Sequence, residues 1–314
     1  MRTDPFLSVV FPAFNEPEVI DISFKAFRET LDEISFAYEV IAVNDGSTDD
    51  SINKLENWAA LWHELKVISF ISNKGHMAAI TAGLEAASGD WVVTIDVDLQ
   101  DPPDVIPKML DLALSQNVDV VYGIRGDRKS DTWFKRATAK FYYKMIGRVT
   151  GIEVPMHAAD CRLMSRRVVN ELCKFPEIHK VYRLLVPWLG FPSQNYKYTR
   201  DERAAGKTHY NLRKMVALAW TSVTSFSATP LRIAIWIGFV GIFSMFIISG
   251  YVFFGWLSGE VYPGWTSLML VVLFLGSFQL LSLGFLGEYV SKLYSESQRR
   301  PLYILNEPVE NQNR

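Results

Sequence analysis

Two carboxylates and an amide fall at alternate positions in Asp96-Val97-Asp98-Leu99-Gln100, directly after the apolar run Trp91-Val92-Val93-Thr94-Ile95. In an extended backbone, residues two apart point the same way. On that reading Asp96, Asp98 and Gln100 present three oxygens to one site. Hard divalent cations take oxygen ligands, and Mg²⁺ or Mn²⁺ is commonly shared between one or two carboxylates and the phosphates of a substrate. A second polar run, Asn44-Asp45-Gly46-Ser47-Thr48-Asp49-Asp50, follows the apolar Glu39–Val43. Ser47 or Thr48 suits a helix cap, and Asp49 and Asp50 suit a first helical turn. Asp45 is then free to meet a nucleotide base or ribose. The segment Pro12-Ala13-Phe14-Asn15-Glu16 adds an aromatic ring and a carboxylate at the end of a third apolar run.

These groups need elements to hold them. Strands are predicted at Leu7–Phe11, Glu39–Val43, Lys66–Phe70, Trp91–Ile95 and Val118–Tyr122, where short apolar runs end in Pro, Asn, Asp or Gly. Helices are predicted between them, over Pro17–Ile34, Asp49–His63 and His76–Ala87. Strands alternating with helices imply right-handed crossovers and a mostly parallel sheet, an α/β domain. Ligands of such sheets bind beyond the carboxyl ends of the strands. Asn15 and Glu16, Asn44 and Asp45, Asn73 and Lys74, and Asp96 and Asp98 all fall there.

The composition changes near residue 230. No charged residue occurs from Ile233 to Gly259, nor from Val261 to Gly287. Each stretch exceeds the roughly 20 apolar residues that a helix needs to cross about 30 Å of hydrocarbon. Arg213, Lys214 and Arg232 precede the pair, Lys292, Arg299 and Arg300 follow it, and the turn between has no Lys or Arg. Lys and Arg favour the cytoplasmic side, so both termini are expected inside. Residues 131–150 and 211–227 mix aromatic with basic side chains, as interfacial helices do. The expected organisation is a cytoplasmic domain over 1–210, an interfacial amphipathic helix over 211–230, a transmembrane hairpin over 231–290 and a cytoplasmic tail over 291–314. Gly238, Gly241 and Gly250 on the first apolar helix leave room for a homo-oligomer.

The whole chain, 314 residues with a formal net charge of −2, is not that of a general nucleic-acid binder. Cys161 and Cys173 form no metal-ligand spacing and read as free thiols. Residues 1–6 have no long apolar run and do not read as a signal peptide.

Taken together, the segments Pro12–Glu16, Asn44–Asp49, Asp96–Pro103, Arg162–Arg166, Glu202–Thr208, Thr224–Ser227 and Gly287–Tyr289 resemble the family-two glycosyltransferases of GT-A fold. The nearer likeness is to the polyprenyl-phosphate sugar transferases, among them dolichol-phosphate mannose synthase and bactoprenol glucosyltransferases. It runs from about residue 7 to residue 305. The resemblance implies a GT-A, Rossmann-like sheet domain with a C-terminal pair of transmembrane helices. It implies that Pro12, Phe14, Glu16, Asp45, Asp96 and Arg125 bind the nucleotide-sugar. Asp96, Asp98 and Gln100 would hold Mg²⁺ or Mn²⁺, and Asp98 and Asp160 would serve catalysis. Arg128, Arg136, Arg203 and His209 would meet the acceptor phosphate. Two places depart from the family pattern: His209 stands where a Lys is usual, and Ala159-Asp160-Cys161-Arg162-Leu163 replaces the more frequent Gly-Asp-Phe-Arg-Leu.

The reaction implied is inverting, metal-dependent transfer of a sugar, UDP-glucose being the first choice of donor, to undecaprenyl phosphate for modification of cell-envelope glycans. The partners are then the nucleotide-sugar, the polyprenyl phosphate and a bacterial inner membrane crossed more than once, with no nucleic acid. The rival readings are a non-catalytic membrane scaffold or flippase partner that binds nucleotide-sugar, and a polysaccharide synthase. The last usually carries Gln-x-x-Arg-Trp, and no Arg-Trp pair occurs here.

Overall fold

The computed structural model describes residues 6–126, 158–178, 180–199, 227–258 and 264–306, with Gly147, Gly151, Pro155 and Thr224 besides. Arg128, Arg136, Arg203 and His209 lie outside the described residues, as do all of 131–150 but Gly147 and all of 201–223. The chain divides into two units, Met1–Leu212 with Pro301–Arg314, and Arg213–Arg300.

The first unit is an α/β domain on a mixed, mostly parallel sheet. Its described strands are β1 (Leu7–Ala13), β2 (Tyr38–Asn44), β3 (Leu65–Ser69), β4 (Trp91–Thr94), β5 (Val120–Arg125), β6 (Ala158–Ser165) and β7 (Ser193–Tyr198). They lie in the order β3-β2-β1-β4-β6-β5-β7. β1 pairs in parallel with β2 and β4, β2 with β3, and β5 with β7. β6 runs against both neighbours, β4 and β5. β1 and β2 are almost wholly buried, which is why they read as near-continuous apolar runs rather than alternating ones.

The helices of this unit are α1 (Pro17–Asp32), α2 (Ser51–Leu61), α3 (His76–Ala86), α4 (Val105–Gln116), α5 (Arg166–Cys173) and α6 (Tyr182–Trp188). In α1, Pro17 opens the helix, where its missing N–H costs nothing, and Val19, Ile20, Phe24, Phe27 and Leu31 make the buried stripe. Phe11 on β1 meets that stripe, its ring 4.6 Å from Phe27 and 5.7 Å from Phe24. α3 is apolar almost all round and packs so close to β1 that a Cβ on Gly83 would stand 2.2 Å from Val10 Cγ1.

The second unit contains α7 (Thr229–Leu257) and α8 (Trp265–Ser297). Windows of 25 residues from Leu231 and 27 from Val271 have mean hydropathies of 2.2 and 1.7, and both helices are long and apolar enough to cross a membrane. Core helices of a water-soluble fold would be covered. These expose Trp236, Phe254 and Leu280 to 70%, 72% and 71%. The Tyr289 hydroxyl donates to the Ser227 carbonyl at 2.6 Å and ties α8 to the start of α7.

Candidate active site

The parallel strands β3, β2, β1 and β4 all end at one edge of the sheet, and the polar loops that follow them are bonded to one another. After β1, the Asn15 amide donates to Ser47 Oγ at 3.1 Å, and its side-chain oxygen accepts from the Thr48 amide at 3.0 Å. Asn15 has φ 51°, a left-handed turn that Asn tolerates. Ser47 and Thr48 therefore join the β1 and β2 loops and do not cap α2. The helix starts later, at Ser51, whose amide donates to Asp49 Oδ1 at 3.0 Å. Pro12 is buried in β1, Phe14 is 41% exposed beyond it, and Glu16 is half-buried with its amide on Ser51 Oγ.

Asp45 is 3% exposed. It accepts from the Lys74 amide at 2.6 Å and the Gly75 amide at 2.8 Å, so it fastens the loop that links β3 to α3. Burial pushes its carboxyl up, against those two bonds. Gly46, at φ +65°, lets this loop pack: a Cβ there would fall 2.5 Å from the Ser72 carbonyl carbon.

The segment after β4 departs from an extended run. The strand ends at Thr94, the chain turns at Val97–Asp98, and Leu99 sits at φ 56°. Asp98 Oδ1 accepts the Gln100 amide at 3.1 Å and closes the turn. Alternation along a strand is thus not what gathers Asp96, Asp98 and Gln100. Asp98 and Gln100 are buried, at 5% and 4%, while the Asp96 side chain is 28% exposed. Asp101 is fully buried and accepts from the Tyr198 hydroxyl at 2.6 Å, which pins the turn to the end of β7.

Asp160 reaches the same place through the antiparallel register. Thr94, the last residue of β4, stands opposite Arg162, two residues past Asp160 on β6, so Asp96, two residues beyond the strand, lies on the Asp160 side of that pair. Thr94 Oγ1 donates to the Asp160 carbonyl at 2.8 Å and fixes that alignment. His76, at the start of α3, closes the group: its Nε2 is 3.8 Å from Asp96 Oδ1 and 3.8 Å from Asp160 Oδ2. Asp160 Oδ1 accepts from Arg162 Nη2 at 3.0 Å and faces Arg183 Nη2 at 3.6 Å. Burial pushes the Asp96 carboxyl up to about 6, the negative charges of Asp160, Asp98 and Asp101 add to the rise, and His76 opposes it.

The sequence-predicted Asp45, Asp96, Asp98, Gln100 and Asp160 therefore sit on neighbouring loops and strand ends. Arg125 ends β5, opposite Tyr198. His76 and Arg183 were not singled out from the sequence. The one signal for His76 was its place, directly after the polar Asn73-Lys74-Gly75 that follows β3; Arg183, on a short helix in no motif, gave none.

The residues suit a hard cation. The Gln100 side-chain oxygen is buried with no hydrogen-bond partner among the described residues, a cost of about 1–3 kcal/mol unless a donor or cation meets it. Asp96 is crowded by like charges that a dication would neutralise. Among the described residues no group of three or more His, Cys, Asp or Glu side chains is arranged to hold a metal ion.

Residues 8–173 match the model of glycosyl transferase family 2. The chain belongs to that family and is a glycosyltransferase. It is 38% identical over 302 residues to the uncharacterized glycosyltransferase YkcC of Bacillus subtilis, covering 95% of this chain and 92% of that one. It is also 38% identical over 301 residues to the prophage bactoprenol glucosyl transferase homolog of Escherichia coli, covering 95% and 98%. Among solved structures, glucosyl-3-phosphoglycerate synthase of Mycobacterium tuberculosis, crystallised with Mn²⁺ and UDP, gives a TM-score of 0.49 at 19% identity over 70% of this chain and 78% of that one.

Proposed function

We propose that this chain transfers a sugar, glucose from UDP-glucose as the first choice, to the phosphate of a polyprenyl lipid such as undecaprenyl phosphate, with inversion at the anomeric carbon. The observation that carries this reading is the presence in one chain of a carboxylate-lined strand edge and two long apolar helices, most of whose described large apolar side chains are exposed. The near full-length likeness to the bactoprenol glucosyl transferase homolog supports it.

A phosphate monoester carries about −1.5 to −2 charges near pH 7, so the acceptor is already a nucleophile and needs no strong base. Asp160 agrees with that: Arg162 and Arg183 engage its Oδ1. It would accept hydrogen bonds from the sugar and stabilise positive charge at the anomeric carbon. Asp45, with Pro12, Phe14 and Glu16, lines the nucleotide side, and Arg125 meets the diphosphate. Asp96, Asp98 and Gln100 would hold Mg²⁺ or Mn²⁺, which when bound neutralises charge on the leaving nucleoside diphosphate. Arg128, Arg136, Arg203 and His209 are the proposed contacts of the acceptor phosphate, where guanidinium forks suit phosphate oxygens. α7 and α8 cross a bacterial inner membrane, with the catalytic domain and both termini in the cytoplasm. The expected domains remain 1–210, 211–230, 231–290 and 291–314.

Titration with UDP and GDP, with Mn²⁺ and after chelation, tests the site. Binding of one nucleotide that weakens at least tenfold on chelation is expected. Equal binding with and without metal removes the metal from the account, and no binding of either nucleotide contradicts the proposed donor.

A further inference from the structure

Residues Pro301–Asn306 pair with Ser69–Ile71, at the end of β3, an edge strand of the described sheet. An edge strand leaves amides and carbonyls unpaired. Here the Ile71 amide donates to the Ile304 carbonyl at 3.1 Å, and the Asn306 amide donates to the Ser69 carbonyl at 2.7 Å. The Tyr303 ring lies on Phe70, with centroids 4.7 Å apart and planes 10° from parallel. Its hydroxyl reaches on to α3 and donates to Glu85.

This strap therefore touches the chain just before the loop Ser72–Gly75, at Ser69–Ile71, and the last turn of α3, the helix that follows the loop. The loop so clamped gives two amides to Asp45 and leads straight into His76. β3 is also tied to β2 here, the Phe70 amide donating to the Asn44 carbonyl at 2.9 Å.

We infer that Tyr303 is a positioning residue: the strap it anchors sets the Ser72–Gly75 loop against Asp45 and so governs affinity for the donor nucleotide. This rests on the reading of Asp45 as a nucleotide contact. The strap follows α8 directly in the chain, so the donor pocket depends on residues that lie beyond the last apolar helix.

Amide hydrogen exchange on the full-length protein in detergent tests the placement without any ligand, and UDP and GDP titrations test its consequence. Tyr303→Ala is expected to speed exchange at Lys74 and Gly75 about tenfold while β1 amides stay protected. The gentler Tyr303→Phe keeps the stacked ring, loses the Glu85 bond, and is expected to speed the same two amides about threefold. Nucleotide binding should weaken in parallel, with kcat at saturating donor and the acceptor KM within about twofold. Faster exchange at Ile71 alone, with Lys74 and Gly75 unchanged in both variants, would overturn the inference. So would loop amides unchanged in Tyr303→Phe when Tyr303→Ala loosens the whole domain. If the unaltered protein binds neither nucleotide, the proposed function fails, and the exchange rates still decide the strap.

Discussion

Arg162 Nη2 donates to Asp160 Oδ1 at 3.0 Å, from two residues along the same strand of the sheet. The guanidinium is 3% exposed, and burial pulls its pKa down while the Asp160 charge opposes that. The pair is a mutual requirement. Asp160 makes the buried cation tolerable, and Arg162 fixes the direction of the carboxylate.

Asp160→Asn should therefore cost stability as well as activity. Removing one partner of a buried pair leaves an uncompensated charge, at about 3 kcal/mol. Denaturant unfolding should show that loss, and the double variant with Arg162→Met should recover part of it. An Asn variant of full stability would mean that the pair does not hold the strand.

Gly46→Ala joins two penalties. The residue sits at φ +65°, and the added Cβ would fall 2.5 Å from the Ser72 carbonyl carbon. We expect a loss of about 1–3 kcal/mol together with weaker nucleotide binding, because the displaced loop is the one that holds Asp45. Gly83→Ala, on α3 and crowded against Val10 of β1 rather than against the Ser72–Gly75 loop, should lower stability with nucleotide affinity kept.

Glu39 sets an acid limit on the fold. Burial works to raise its carboxyl, but the Lys66 bond first, then those of Ser88 and Ser8, outweigh it and hold the value at about 2, below the ordinary 4.5. A depressed folded-state value adds stability above pH 4.5 that is lost as pH falls through about 2. With Lys66 largely exposed, the contribution is about 2 kcal/mol. Glu39→Gln should unfold more easily than the unaltered protein at pH 6, and the gap should narrow steadily between pH 5 and about 3. A gap that does not change over that range would contradict the assignment.

Much of the domain was legible because buried parallel strands write themselves as short apolar runs. The predicted Leu7–Phe11, Glu39–Val43, Lys66–Phe70 and Trp91–Ile95 fall on β1 to β4 within a residue or two. β6 and β7 were not legible as strands. β6 carries Asp160 and Arg162 in its interior because its end forms the site, and β7, Ser193–Tyr198, is a polar edge strand. The candidate carboxylates could be named from their places at strand ends, but their meeting could not. Asp96 and Asp160 come together beside an antiparallel pairing that only the sheet reveals, and His76 belongs with them only once α3 is set against β1 and β2.

The most direct test is sugar transfer itself. Purified protein with Mn²⁺ and undecaprenyl phosphate should move label from one of a panel of UDP- and GDP-sugars into the lipid phase. Asp98→Ala should abolish the transfer, and an α-linked donor should yield a β-linked product. Label that stays in water with every donor, or a lipid product of retained configuration, would contradict the account.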